Sequence, residues 1–177
     1  MAVVLVLPAT WQYWFPYDRA LVADGQLWRL ISSNFIHLSW GHFLLNGLGL
    51  MVIAWLFAED RRTIQWAADL MICSVATAGG LYLLTPEILW CVGLSGALHG
   101  LFVIGAIDWV QAGIAQGKWL LLGLGVKLIW EQAVGEMPFS GDIVGGSVVT
   151  DAHVWGAMGG LIAVSVDWLW RRRRARL

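Results

Sequence analysis

Five long stretches of this chain are mostly apolar, and they limit the possible fold more than any other feature. They run over residues 37–57, 64–84, 92–110, 119–134 and 151–170. A helix that crosses a bilayer needs about 20 mostly apolar residues, and these stretches reach or approach that length. A weaker stretch over residues 1–7 ends at Pro8 and is too short to cross alone. We therefore expect six spans, the first of them short or truncated.

The composition favours lipid over water as the main solvent. Hydrophobic residues make up 59% of the 177 residues and charged residues only 13%, whereas soluble domains carry about 25% charged residues. The predicted fold is an all-α, polytopic transmembrane helical bundle that forms a single domain over residues 1–177. The net charge of −1 and the clustering of the basic residues give no indication of nucleic-acid binding. We expect the two cysteines, Cys73 and Cys91, to be packing residues.

The basic residues also predict an orientation. Arg61 and Arg62 lie between the second and third spans, Lys118 lies between the fourth and fifth, and residues 171–174 are four arginines after the sixth. Alternating spans put these three groups on one side, which the positive-inside rule assigns to the cytoplasm. We expect an integral protein of a bacterial inner membrane with a cytoplasmic C-terminus.

Polar side chains gather at the outer ends of three predicted spans. His42 and Asn46 are four residues apart and share a helix face, Ser95 and His99 repeat that spacing, and His153 lies at the outer end of the last span. A single intramembrane histidine is most often a hydrogen-bonded packing residue, but polar groups that converge from three helices indicate a site. His37 precedes His42 by five residues, so we expect it to point elsewhere and to anchor a loop.

Small residues near these polar groups favour close helix contact. Two glycine pairs have the spacing that lets helix backbones approach in membranes: Gly96 with Gly100, and Gly156 with Gly160. Such an approach is what a hydrogen bond between Ser95 and His153 would need. The motif "GLSGA" is not the nucleophile elbow, because Ala97 stands where the last glycine of that motif belongs. The alternative for Ser95 is an ordinary helix N-cap, a position that serine favours.

Four short motifs together resemble the rhomboid family of intramembrane serine proteases. They are "WR" at 28–29, "HLSWGHFLLN" at 37–46, "GLSG" at 93–96 and "AHVWGAMGG" at 152–160. The resemblance implies Ser95 as nucleophile and His153 as general base, in a dyad with no acidic third member. It implies an oxyanion site made of His42, Asn46 and the backbone N–H of Ser95. Supporting roles are expected for His99, His37, Gly93, Gly96 and Gly156, and neither a cofactor nor a metal is expected.

One difference from typical rhomboids points to a particular branch of the family. His99 stands where rhomboids usually have an aromatic residue, and "GLSGALHG" at 93–100 in a short chain resembles the rhombosortase branch. That branch implies a substrate that is an exported, membrane-anchored protein with a C-terminal Gly-Gly motif, an apolar span and a basic tail. The expected reaction is cleavage of this anchor near the outer membrane interface.

Other interpretations remain open at this point. The four histidines could bind a metal or haem, or the chain could be a catalytically inactive rhomboid-like binding protein.

Within the fifth span, Lys127 and Glu131 are four residues apart and are expected to pair with each other. The glycine-rich loop over residues 135–150 is expected to act as a mobile lid.

Overall fold

The computed structural model describes residues 13–174, so the expected first span over residues 1–7 lies outside the described residues. Within 13–174 the chain forms eight α-helices: α1 Arg19–Ala23, α2 Arg29–Ser32, α3 Trp40–Phe57, α4 Thr63–Leu84, α5 Ser95–Gln111, α6 Gln116–Ala133, α7 Ser140–Val144 and α8 Thr150–Arg174. Two 3₁₀ turns, Ser33–Phe35 and Ala58–Asp60, follow α2 and α3. The chain is not purely helical, because β1 (Tyr17–Asp18) pairs antiparallel with β2 (Trp90–Cys91).

The long helices α3, α4, α5, α6 and α8 coincide with the five apolar stretches, but two of them begin later than predicted. The Ser39 side chain accepts a hydrogen bond from the His42 backbone N–H at 3.1 Å and caps α3. His37 therefore lies before the helix and not within it. The N-cap of α5 is Leu94, so Ser95 is the first helical residue and not the cap.

Two segments of the described chain are long and apolar enough to cross a bilayer by length and composition, Trp40–Asp60 and Thr63–Leu84. The expected six spans are therefore not confirmed. The helix α5 has 17 residues, and α6 carries two lysines and a glutamate along its 18 residues. Length and charge thus separate these helices from α3 and α4, and the buried Glu131 of α6 requires partners inside the bundle.

The helix α5 lies at the centre of the bundle and packs closely on α8. A Cβ atom added at Gly96 would lie 2.7 Å from the Ala152 carbonyl oxygen, and one at Gly100 would lie 2.5 Å from the Gly156 carbonyl oxygen. A Cβ at Gly156 would collide with the carbonyl of Gly96. The predicted close approach of the two glycine pairs is confirmed, because the helices meet backbone to backbone.

The core beside this contact is built from apolar side chains of α3, α4 and α5. Its buried members include Ile53, Phe57, Cys73, Leu101 and Ile104. Cys73 is fully buried and free, and Cys91 is free and buried in a second cluster, so the prediction that both cysteines are packing residues is confirmed.

At the end of the bundle away from Ser95, Arg61 is buried among three carboxylates. Its guanidinium reaches Asp108 at 2.5 Å, Asp69 at 3.1 Å and Asp167 at 3.6 Å. Burial lowers the pKa of Arg61, but the hydrogen bond and charge of Asp108 and the charges of Asp69 and Asp167 raise it above its ordinary value. Arg61 therefore ties α4, α5 and α8 together, and its charge is neutralised locally. The orientation in the membrane stays a prediction.

The segment before α5 is held by backbone hydrogen bonds to the N-terminal part of the described chain. β1 pairs with β2, and the Gly93 backbone N–H donates to the Ser33 carbonyl at 3.0 Å. Arg29 is buried and donates to the carbonyl oxygens of Pro16 at 2.7 Å and Tyr13 at 2.9 Å. Burial lowers the pKa of Arg29. The β1–β2 pairing and the Gly93 bond hold the segment that leads into Ser95, while Arg29 holds the chain just before β1.

Candidate active site

Ser95 and His153 face each other across the contact between α5 and α8. The distance from Ser95 Oγ to His153 Nε2 is 3.0 Å, which is a hydrogen bond. The residues next to them, Gly96 and Ala152, form the close backbone contact described above. The missing side chain at position 96 therefore lets α8 bring His153 within reach of the serine.

A carboxylate lies on the far side of the His153 ring. Glu131 Oε2 on α6 is 2.8 Å from His153 Nδ1, and Glu131 is only 4% exposed. A carboxylate accepts and does not donate, so Nδ1 carries the ring proton and Nε2 is the acceptor for the Ser95 hydroxyl. The spacing in the sequence predicts only the pair of Glu131 with Lys127 and gives no indication of this contact with His153.

The predicted pair on α6 is confirmed and extends further. Lys127 Nζ donates to Glu131 Oε1 at 2.6 Å and also lies 2.9 Å from His99 Nε2. An ammonium only donates, so His99 Nε2 accepts and His99 Nδ1–H donates to the Ser95 carbonyl oxygen at 2.6 Å. We call the resulting closed ring the hydrogen-bond circuit. It contains Ser95, His153, Glu131, Lys127 and His99, and it begins and ends on Ser95.

The two histidines of the circuit also stack. The rings of His99 and His153 are 4.2 Å apart between centroids, with an angle of 16° between their planes. Because each ring also has hydrogen bonds at both nitrogens, its position and its orientation are both fixed.

Two further donors lie beside the segment that enters α5. His42 Nδ1 accepts from the Leu38 backbone N–H at 3.3 Å, so the neutral ring carries its proton on Nε2. Among the described residues, Asn46 Nδ2 is a buried donor with no hydrogen-bond partner. A Cβ at Gly93 would lie 2.5 Å from His42 Nε2 and 3.7 Å from Asn46 Nδ2, and Gly93 has a φ of 120° that disfavours other residues. Gly93 thus leaves room for both donors next to Ser95.

The expected role of His37 as a loop anchor stays a prediction, and the residue lies in the loop before α3. Its ring contacts the His42 ring edge to face, with 5.0 Å between centroids, and also contacts Phe43 at 5.4 Å. His37 therefore supports the His42 ring from the loop before α3, and it is not part of the hydrogen-bond circuit.

The polar side chains of the site lie in the wall of a cavity of about 1100 Å³. Ser95, His153, His42 and Asn46 all line it. Most of the remaining wall is apolar and comes from α3, α5 and α6, with contributions such as Leu45, Val52, Phe102, Leu120 and Leu124. The cavity therefore brings a serine hydroxyl, a histidine ring nitrogen and hydrogen-bond donors together with a mostly apolar wall.

The loop between α6 and α8, predicted as a lid, lies over part of this cavity. It contains α7, and its residues Met137, Ser140 and Val148 line the cavity. The Ser39 hydroxyl donates to the Val144 carbonyl at 2.7 Å, so the loop is attached to the start of α3. That the loop moves during function stays a prediction.

A metal site does not fit the circuit as it stands. His99, Glu131 and His153 place ligand-type atoms within 4.8 Å of one another. Both ring nitrogens of each histidine and both oxygens of Glu131 are already engaged in the circuit's hydrogen bonds. A metal would have to break these bonds to bind.

A family of known proteins matches the part of the chain that contains this site. A rhomboid domain model matches residues 24–169, a range that includes every residue of the circuit. The chain is 27% identical over 147 residues to the chloroplastic rhomboid-like protein 11 of Arabidopsis thaliana. That match covers 80% of this chain and 52% of the relative, so the chain spans about half the length of the curated relative it matches.

Proposed function

This chain belongs to the rhomboid family, and on that premise we propose that it is an intramembrane serine protease with Ser95 as nucleophile and His153 as general base. The apolar helices of its rhomboid domain indicate an integral membrane protein. The observation that carries the proposal is the 3.0 Å hydrogen bond between Ser95 Oγ and His153 Nε2, inside a cavity with additional buried donors.

The proposed reaction proceeds through an acyl-enzyme. Ser95 Oγ attacks the scissile carbonyl carbon while His153 Nε2 takes the hydroxyl proton. The negative oxygen that forms is stabilised by His42 Nε2–H, the Asn46 amide and the Ser95 backbone N–H. The C–N bond then breaks as His153 returns the proton to the leaving amine. Water repeats the attack on the ester, which frees the carboxylic acid and Ser95.

The proposed substrate is the membrane anchor of another protein. The apolar walls that α3 and α6 contribute to the cavity suit an apolar segment. Such a segment must unwind locally, because a helix hydrogen-bonds its own carbonyls and hides them from a nucleophile. Glycine lowers this cost by about 1 kcal/mol relative to alanine. We propose, with the rhombosortase resemblance, that cleavage occurs beside a Gly-Gly motif at the outer end of a C-terminal anchor.

Covalent labelling tests the nucleophile. We expect a fluorophosphonate probe to label the purified protein in detergent, with the adduct on Ser95 by mass spectrometry. Ser95→Ala should not be labelled, whereas Ser165→Ala, which removes an exposed hydroxyl on α8, should be labelled like wild type. A folded wild-type protein that is not labelled would contradict the proposal and favour a binding protein.

Co-expression tests the substrate class. An exported protein with a Gly-Gly motif, an apolar span and a tagged basic tail should lose its tag with wild type and keep it with Ser95→Ala. Replacing Gly-Gly by Leu-Leu in that substrate should slow the loss of the tag. An unchanged rate would refute the glycine preference and leave the protease assignment standing.

A further inference from the structure

Both oxygens of the Glu131 carboxylate are committed to the circuit. Oε2 lies 2.8 Å from His153 Nδ1 and Oε1 lies 2.6 Å from Lys127 Nζ, while the Glu131 side chain is 2% exposed. A buried carboxylate is costly unless it is paired and hydrogen-bonded. The position of this carboxylate next to the His153 ring therefore calls for an explanation other than its pairing with Lys127 along α6.

The proton positions supply this reason. A neutral imidazole carries its proton on either nitrogen, and only the form with a bare Nε2 accepts the Ser95 proton. Glu131 has no proton to give, so its contact with Nδ1 selects that form. The same carboxylate stabilises the imidazolium that forms when Ser95 attacks. We propose that Glu131 is the positioning residue of a Ser95–His153–Glu131 triad, an inference that rests on the proposed protease function.

Lys127 completes the charge balance of this triad. At rest, the carboxylate of Glu131 is neutralised by the ammonium of Lys127 at 2.6 Å. During attack, a positive His153 and a negative substrate oxygen arise together, so the site has no net charge in either state. Separated charges are weakly screened in a low-dielectric interior, and this balance keeps the cost of charge formation low.

The two remaining bonds of the circuit connect Lys127 through His99 to the backbone of Ser95. Lys127 occupies Nε2 of His99, which leaves Nδ1–H of His99 to hold the Ser95 carbonyl at 2.6 Å. The carboxylate of Glu131 thus fixes the base on one side, and Lys127 through His99 fixes the backbone of the nucleophile on the other.

Replacing Glu131 by glutamine tests the tautomer argument. Glutamine has one acceptor oxygen where glutamate has two, and the charged Lys127 takes that oxygen in preference to a neutral ring. The amide NH₂ then faces His153 Nδ1 and forces the ring proton onto Nε2, where it blocks transfer from Ser95. We expect Glu131→Gln to lower the rate of fluorophosphonate labelling by about 10²–10⁴-fold, since loss of the correct tautomer costs about 10⁴-fold in trypsin-like enzymes.

Removing Lys127 as well should restore part of the rate. In the double variant Lys127→Met with Glu131→Gln, the amide oxygen is free to turn to His153 Nδ1. We expect this double variant to label at least about tenfold faster than Glu131→Gln alone. A purely structural role of Glu131 predicts the opposite, because each change would add its own damage. The control is Glu87→Gln, which alters an exposed carboxylate before β2 and should label like wild type.

The outcomes separate this inference from the proposed function. An unlabelled but folded wild type refutes the protease itself. A labelled wild type with Glu131→Gln within threefold of it, or a double variant no faster than Glu131→Gln, overturns the triad. If Glu131→Gln does not fold, the comparison moves into the Lys127→Met background, where Glu131→Gln should label at least about tenfold faster than Glu131→Leu. Equal rates there also overturn the triad.

Discussion

The backbone contact between α5 and α8 makes a quantitative prediction for Gly96→Ala. The new methyl group would lie 2.7 Å from the Ala152 carbonyl oxygen and 2.5 Å from Thr77 Cγ2. Ordinary contacts begin at 3.4 Å, so α8 would have to move away by about 0.7 Å. Such overpacking costs typically about 1–3 kcal/mol in the free energy of unfolding.

The same movement separates Ser95 from His153. Gly96 and Ala152 are the chain neighbours of Ser95 and His153, so a shift of about 0.7 Å would lengthen the 3.0 Å hydrogen bond to about 3.7 Å. A distance of about 3.6 Å is no longer a hydrogen bond. A misplacement of about 1 Å can cost about 10²-fold in rate, so we expect Gly96→Ala to lower the labelling rate by about 10–10²-fold.

The assay measures the labelling rate and the melting temperature of each variant in detergent. Gly79→Ala on α4 is the matched control, because a Cβ there meets no atom within 4 Å. It should label like wild type and be more stable by about 0.5–1 kcal/mol, the usual gain from alanine over glycine in a helix. If Gly96→Ala labels at the wild-type rate, the close backbone contact does not set the geometry of Ser95 and His153.

Further predictions concern the donors, the two histidines of the circuit and the topology. Asn46→Ala should lower the labelling rate by about 10²–10³-fold without a matching loss of melting temperature, because it removes a donor to the negative oxygen. His153→Ala should abolish substrate cleavage, whereas His99→Tyr should retain a measurable rate, since an aromatic ring can still stack; the reverse result would exchange the two roles. In intact cells, an impermeant thiol reagent should reach a cysteine at Glu87 and not one at Glu59, and the opposite pattern would invert the orientation.

The helices were predictable because apolar runs of this length have few alternatives. Their starting points were not, because they depend on caps that form in three dimensions. Ser39 begins α3 by accepting from the His42 backbone, and α5 begins at Ser95 without a side-chain cap. The short β1–β2 pair was missed for a similar reason, since two residues in each strand leave no periodic pattern.

The approach of α5 to α8 was predictable because glycine has no side chain to keep two backbones apart. The pairs Gly96 with Gly100 and Gly156 with Gly160 could be found in the sequence by their spacing alone. The position of His37 could not be derived from helical spacing, because His37 precedes Trp40, the first residue of α3, and its contact with His42 depends on the loop conformation.

The contacts of Glu131 show what the four-residue spacing rule for helices can and cannot predict. The spacing of Lys127 and Glu131 correctly predicts their ion pair, but it uses one oxygen of the carboxylate and one proton of the ammonium. The second oxygen and the other protons still need partners, and burial makes leaving them without partners costly. Their partners depend on how α6 is rotated against α5 and α8, which the spacing within one helix does not determine. A buried ion pair leaves one carboxylate oxygen and further ammonium protons without partners within its own helix. This unused hydrogen-bonding capacity is the feature of the sequence that indicates further partners, which in the structure are His153 and His99.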